Sequence, residues 1–209
     1  MIFFIIYLLI SFLIGAIPTG LIIGRIKKVD IRSQGSRNIG ATNVTRTLGP
    51  IFGIITLFID CLKAFFPLIL FKPISSYFSA SQQLLNLELS RSIIAVAILC
   101  GNTFNPFLRF KGGKGVATGL GIMLFLNPIG VAISFAIFFI TVLISKYVSL
   151  GSILAVITII ISSFFLLKSF YIIGAIILIG LIVLVRHKEN IKRLLNSTEN
   201  KFAFKKNKK

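Results

Sequence analysis

Seven runs of apolar residues, at about residues 2–24, 50–71, 91–104, 116–128, 129–146, 149–167 and 170–186, occupy most of this 209-residue chain. A helix needs about 20 apolar residues to cross ~30 Å of hydrocarbon. Inside lipid, backbone N–H and C=O groups must be satisfied by a helix or by a closed barrel. Barrel strands alternate polar and apolar residues, and these runs do not. The expectation is an all-α integral membrane protein, a single polytopic bundle of about seven transmembrane helices. The third and fourth runs are short, so they read as tilted partial spans, or one of them as re-entrant. Asn127-Pro128 is a turn signal and separates the fourth run from the fifth. At 56% hydrophobic residues and a mean hydropathy of +0.98, the chain has more apolar surface than a soluble core of its length can hide. Residues 2–24 have neither a basic leading region nor an A-x-A cleavage site, so they read as a retained first helix.

Charge sets the expected orientation. All but Lys63, Lys72, Arg91 and Lys168 of the 23 lysines and arginines fall in loop 25–49, loop 105–115, position 146 or the stretch from Arg186 onward. Cytoplasmic loops collect Lys and Arg. These segments are therefore placed inside, with the N-terminus outside and the C-terminus cytoplasmic, which requires an odd number of spans. Segment 72–90 reads as an outward-facing connector. A net charge of +18 beside apolar spans suits anionic lipid headgroups and an anionic substrate, not nucleic acid. The expected organisation is a membrane-embedded domain over 1–190 and a basic cytoplasmic tail over 191–209. From 187 the chain starts as an amphipathic helix, with Ile191, Leu194 and Leu195 on one face and Lys192 and Arg193 opposite. It ends in Lys205, Lys206, Lys208 and Lys209, a disordered, lipid-attracted tail. Cys61 and Cys100 lie in different runs and read as buried free thiols. Only five acidic residues occur, none clustered, so no metal site is expected.

Three segments on the basic side are richer in ligand-type residues than a connector requires. The first, Ser36 to Arg46, mixes small residues, hydroxyls, amides and arginines. Small residues let backbone N–H groups approach a ligand, and Ser36, Asn38, Thr42 and Asn43 offer polar side chains. Arg46 can hold a phosphate through two N–H donors. By contrast, Arg25, Lys27, Lys28 and Arg32 need no explanation beyond orientation. The second segment is Phe110-Lys111-Gly112-Gly113-Lys114-Gly115, just ahead of an apolar helix. Free N–H groups at a helix start plus one lysine suit a phosphate, and a tight interfacial turn explains the glycines equally well. It is not a Walker A loop, because Leu108 and Gly115 stand where that pattern needs Gly and Ser or Thr.

The third segment begins at His187, directly after the last run. If helical, His187 and Asn190 share a face. Taken alone it is an ordinary helix start, with Glu189 and Arg193 as an i,i+4 pair. Within the second run, Asp60 and Lys63 are three residues apart. Ionisable groups in the membrane are costly and are expected to pair. No other run carries a second acidic residue, so a structural pair buttressing a loop is expected here, ahead of a proton relay.

In these segments the chain resembles the PlsY-type acyl-phosphate:glycerol-3-phosphate acyltransferases of bacteria. That family carries G-S-G-N-x-G-A-T-N-V-x-R, G-G-K-G-V-A-T, H-R-E-N-I-x-R-L followed by G-T-E, and D-x-x-K-G. Here they read as Gly35–Arg46, Gly112–Thr118, His187–Leu194 with Ser197-Thr198-Glu199, and Asp60 to Lys63. The motifs occur in order over most of the chain. Arg37, Ala64 and Ser197 replace family glycines, Asn102 a common histidine, and Lys188 an arginine.

The resemblance implies transfer of an acyl chain from acyl phosphate to the 1-hydroxyl of glycerol 3-phosphate. It yields 1-acylglycerol 3-phosphate (lysophosphatidic acid) and phosphate, the first acylation of bacterial phospholipid synthesis. It implies no cofactor, catalytic roles for Ser36, Arg46, Lys114, His187 and Asn190, and a structural role for Glu199. Asn38, Thr42, Asn43, Gly112, Gly113 and Gly115 become candidate substrate contacts, with the glycine loop cradling the glycerol 3-phosphate phosphate. Expected partners are the two substrates, membrane lipids and an enzyme that supplies acyl phosphate. The expected location is the bacterial plasma (inner) membrane, with the site on the cytoplasmic face. His187 reads as a substrate orienter in preference to a general base, because Glu189 lies on a different helix face and no H-x4-D pattern is present. The residues alone do not distinguish acyl donors. The main rival is a transporter of an anionic metabolite. It is disfavoured because the runs offer no polar path beyond Asp60 and Lys63, and no internal repeat is evident.

Overall fold

The computed structural model describes residues 2–78 and 86–201, and every described regular element is helical. The helices are α1 (Ile2–Gly15), α2 (Thr19–Ile26), α3 (Ala41–Leu48), α4 (Pro50–Phe78), α5 (Leu87–Thr103), α6 (Val116–Leu126), α7 (Pro128–Ser145), α8 (Val148–Leu166), α9 (Phe170–Arg186) and α10 (Lys188–Leu195). Their ends follow local chemistry. Asn86 caps α5 by accepting from the Glu88 N–H at 2.8 Å. Asn127 caps α7 through the Gly130 N–H at 3.0 Å, with Pro128 in the first turn, where its missing donor costs nothing. The expected break between the fourth and fifth runs falls at this point.

The number of spans differs from the expected seven. Four helical segments, Pro50–Tyr77, Leu87–Leu108, Pro128–Ser145 and Val148–Leu166, are long and apolar enough to cross a membrane. Two bent pairs raise this to six: α1 with α2, bent by 44°, and α9 with α10, bent by 56°. The first bend falls at Pro18, which cannot continue a hydrogen-bonded turn. The missing span is α6. Its 11 residues rise only about 16 Å, roughly half the hydrocarbon thickness. The sequence already places this run at about 116–128 and reads it as short, and the structure starts it at Val116 and ends it at Leu126. The connector expected over 72–90 is also shorter, because α4 runs to Phe78 and α5 starts at Leu87. The four terminal lysines from Lys205 lie outside the described residues.

Two apolar clusters organise the molecule. The larger joins α1 and α4 through α9 around Leu68, Ile94, Ile98, Leu99, Ile122, Ile176 and Ile179, with Val131 contributed by α7. The smaller packs Leu21, Ile23, Ile31, Ile39 and Val44 beneath the segment between α2 and α3. Many large apolar side chains face outward, among them Phe58, Phe135, Phe139, Leu143, Phe165 and Leu181. A surface this apolar matches hydrocarbon, not water. Polar side chains gather instead at the smaller cluster's end of the bundle, where α3, the glycine loop ahead of α6 and α10 meet.

Candidate active site

At that end lies a cavity of about 220 Å³ lined by residues from all three segments singled out in the sequence. Each segment is held by its own device. In the first, the buried Asn43 amide organises the loop. Its Oδ1 accepts the Ser36 N–H at 2.7 Å, and its Nδ2 donates to the carbonyls of Ile31 (2.8 Å) and Gln34 (3.2 Å). Asn43 lines the cavity, and both of its amide N–H donors are committed to the loop. Asn38 accepts the Gly40 N–H at 2.9 Å and keeps its own N–H donors. Ser36 and Thr42 line the cavity with hydroxyls unpartnered among the described residues.

The glycine loop is also anchored. The N–H groups of Gly112 and Gly113 donate to the carbonyls of Thr103 (3.2 Å) and Asn102 (3.1 Å). Their own carbonyls accept from Arg186, at 2.8 Å to Nη2 and 3.3 Å to Nε. Gly112 does not line the cavity, and a Cβ there would collide with the Asn102 carbonyl. The expected cradle of Gly112 and Gly113 N–H groups is therefore corrected. Both are turned into the fold, and the donors left for an anion are those at the start of α6, from Lys114 and Gly115 onward. Gly115, at φ +84°, supplies the left-handed turn that opens this helix. Arg186, which the sequence places only among the basic residues that set orientation, clamps the loop.

His187 is buried at the bend between α9 and α10. Its Nδ1 lies 2.8 Å from the Val183 carbonyl, which can only accept, so Nδ1 carries the proton. Burial, reinforced by Lys114, pushes its pKa down to about 4, against the opposing pull of the Val183 carbonyl and Glu199. Near neutral pH the ring is uncharged, with Nε2 left as an acceptor. Asn190 joins two groups: Lys114 Nζ donates to its Oδ1 at 2.5 Å, and its Nδ2 donates to Glu199 Oε1 at 2.9 Å. Glu199 also accepts from Ser149 (3.0 Å) and Arg193 (2.7 Å). Burial alone would raise its pKa, but these hydrogen bonds outweigh burial and lower it. The resemblance implies a structural role for Glu199, within the stretch that reads as tail. In the structure it returns to the bundle and locks α10 to α8.

Arg46 and Lys114 complete the electrostatics. Neither has a carboxylate ion-pair partner among the described residues. Arg46 is half-buried and donates to the Asn200 carbonyl at 3.2 Å; burial lowers its pKa. Lys114 is pushed to about 8, mainly by burial, with Arg193, Arg46 and Arg186 adding to the effect and Glu199 opposing it. Two part-buried cations facing one cavity call for an anion between them. Deeper in the bundle, Asp60 and Lys63 pair at 2.7 Å, as expected. No three His, Cys, Asp or Glu side chains among the described residues are grouped to hold a metal.

A second cavity, about 190 Å³ and almost wholly apolar, adjoins the first. The two share Leu57, Gly115, Val116, Phe138 and Ser152. Fold and site together define a multi-pass membrane protein with a cationic cavity opening into an apolar one. The chain belongs to the family described as glycerol-3-phosphate acyltransferase, whose model matches residues 5–197. The glycerol-3-phosphate acyltransferase of Desulfotalea psychrophila is 43% identical over 194 residues, covering 93% of this chain and 95% of the relative. That of Trichlorobacter lovleyi is 40% identical over 192 residues, covering 92% and 94%. Among solved structures, the fold is similar to PlsY (YgiH), an integral membrane glycerol 3-phosphate acyltransferase, in its glycerol 3-phosphate form. The TM-score is 0.85 at 34% identity, covering 96% of each chain. The lysophosphatidic acid form of PlsY gives 0.83 at the same identity and coverage.

Proposed function

We propose that the chain acylates the 1-hydroxyl of glycerol 3-phosphate with acyl phosphate as donor, giving lysophosphatidic acid and phosphate. The observation that carries this reading is the pair of part-buried cations, Arg46 and Lys114, facing a cavity that continues into an apolar one. One cavity suits phosphate groups and the other an acyl chain. Arg46, Lys114 and the N–H groups at the start of α6 hold the phosphates. Ser36, Asn38 and Thr42 donate to their oxygens. His187 Nε2 accepts from the attacking hydroxyl and aims it at the acyl carbon. Asn190 keeps Lys114 in place.

The 1-oxygen forms the ester bond as the bond from acyl carbon to phosphate oxygen breaks. As that bond forms, the hydroxyl proton leaves its hydrogen bond to His187 Nε2 and passes to a substrate phosphate oxygen, and the leaving group departs as inorganic phosphate. A phosphate monoester, with a second pKa near 6, is a better proton acceptor than a histidine held at about 4. Acyl phosphate is already activated, so positioning and charge stabilisation suffice. In this reading the protein lies in the bacterial plasma membrane with the cavity on the cytoplasmic side, where both substrates arise. The N-terminus is outside, and α10, which lines the cavity, is on the cytoplasmic side, so in this reading an odd number of segments crosses the membrane. Cysteine labelling of residues 36 and 201 from each side of sealed vesicles reads this directly.

The donor is tested with the purified protein in lipid mesophase, given glycerol 3-phosphate and either palmitoyl phosphate or palmitoyl-CoA. Phosphate release that needs both palmitoyl phosphate and glycerol 3-phosphate, and that is lost in Arg46→Ala, is the expected result. Transfer from the thioester alone would overturn the donor assignment.

A further inference from the structure

Apart from the hydroxyls of Ser36 and Thr42, which the reading above uses as donors to phosphate, the side-chain acceptors of this cavity are nearly spent. Glu199 gives Oε1 to Ser149 and Asn190, and Oε2 to Arg193. The Asn190 carbonyl oxygen is taken by Lys114, and that of Asn102 by Lys63. Arg46, Lys114 and Asn38 offer only donors. A phosphate is satisfied by donors, but the two hydroxyl protons of glycerol 3-phosphate each need an acceptor. His187 Nε2 supplies one. The charged acceptor that remains is Asp60.

Asp60 and Lys63 are not equivalent. Asp60 lines the cavity and Lys63 does not. Lys63 stands behind, its ammonium placed on Asp60 Oδ1 (2.7 Å), the Ile17 carbonyl (2.8 Å) and Asn102 Oδ1 (3.1 Å). Those three contacts match its three N–H donors, so Lys63 has none left for a phosphate. Thr19 Oγ1 also donates to Asp60 Oδ1, at 2.8 Å. One carboxylate oxygen is therefore fixed from two sides, and Oδ2 has no hydrogen-bond partner among the described residues. Asp60 is 7% exposed, and Oδ2 is not sealed from the cavity. A pair serving packing alone would leave no unspent carboxylate oxygen at the wall of a substrate cavity.

We propose that Asp60 is a substrate-contacting residue whose Oδ2 accepts the hydrogen bond of the glycerol 3-phosphate 2-hydroxyl, with Lys63 and Thr19 as its positioning residues. The site then selects a polyol phosphate over an alkanol phosphate of the same length. This inference rests on the acyl-transfer reading above and deepens it.

The test compares kcat/KM for glycerol 3-phosphate and for 3-hydroxypropyl phosphate, which lacks only the 2-hydroxyl, with palmitoyl phosphate as donor. The wild-type enzyme is expected to favour glycerol 3-phosphate by roughly ten- to hundredfold, the range for a hydrogen bond to a charged group. In Asp60→Asn the ratio is expected to fall severalfold, with the KM for palmitoyl phosphate unchanged. Asp60→Asn/Lys63→Met removes both charges together, so no unpaired ion is left buried, and serves where the single variant does not fold. A structural role alone would slow both acceptors equally and leave the ratio as in wild type, which overturns the proposal. A wild-type ratio near one overturns it without any variant. No transfer to either acceptor by the wild-type enzyme sinks the acyl-transfer reading instead, so the two failures are distinguishable.

Discussion

The ring of His187 is tied to the carbonyl of Val183, one helical turn earlier, by a 2.8 Å hydrogen bond that leaves only Nε2 to face substrate. That bond fixes the tautomer, and burial keeps the ring uncharged down to about pH 4. The histidine is thus a neutral acceptor over the whole neutral range.

Replacement of His187 should follow hydrogen-bonding capacity and not basicity. His187→Ala is expected to lower kcat roughly two- to tenfold, the loss of one orienting hydrogen bond between neutral groups. His187→Gln keeps an acceptor oxygen and should retain several times more activity than the alanine variant. Equal loss in both, measured by phosphate release, would favour proton abstraction by the ring.

Lys114 gives the alkaline limb. As pH rises through about 8 its ammonium loses a proton and its attraction for phosphate is lost. For the free enzyme, kcat/KM for glycerol 3-phosphate should therefore fall about tenfold per unit above that point. Lys114→Arg should move the limb upward by more than one unit, since arginine stays charged. No limb from His187 is expected between pH 5.5 and 7.5, once the substrate's own ionisation near 6 is allowed for.

Arg37 and Ser197 stand where the family carries glycine, and both adopt left-handed backbone, at φ +57° and +56°. That conformation costs a residue with a Cβ about 1 kcal/mol or more. Arg37→Gly and Ser197→Gly are each expected to raise the unfolding temperature in detergent. Lower stability in either variant would mean that the side chain contributes more than the strain it brings.

Arg186 holds the carbonyls of Gly112 and Gly113 together. Arg186→Met frees the loop and leaves two inward carbonyls short of donors. The KM for glycerol 3-phosphate should rise tenfold or more, with a smaller effect on the donor. Arg186→Lys reaches one carbonyl at a time and should recover only part. Titration of both substrates separates this from a general loss of folding.

The helical class and the composition of the site could be read from the chain, because apolar length and ligand-type residues are local properties. Ser36, Arg46, Lys114, His187 and Asn190 all line one cavity, although sequence separates the first from the last by most of the molecule. What could not be read was how backbone groups were already used. Nothing in Gly-Gly-Lys-Gly says that its first two N–H groups bond to Thr103 and Asn102, or that Arg186 takes their carbonyls. Nor does the sequence say that Asn43, which lines the cavity, spends its amide N–H donors on the carbonyls of Ile31 and Gln34. The run that becomes α6 is already short in the sequence, and at 11 residues it is shorter than the candidate spans. Glu199 sat in a stretch read as tail, and no local signal shows a chain turning back.

The shared wall of Leu57, Gly115, Val116, Phe138 and Ser152 also bears on how the rate should be counted. One reactant arrives dissolved in a volume and the other spread over an area. Diluting the sheet with inert lipid at fixed bulk molarity should therefore slow turnover as if the acyl donor had been withdrawn, while diluting the water around it should act only through glycerol 3-phosphate.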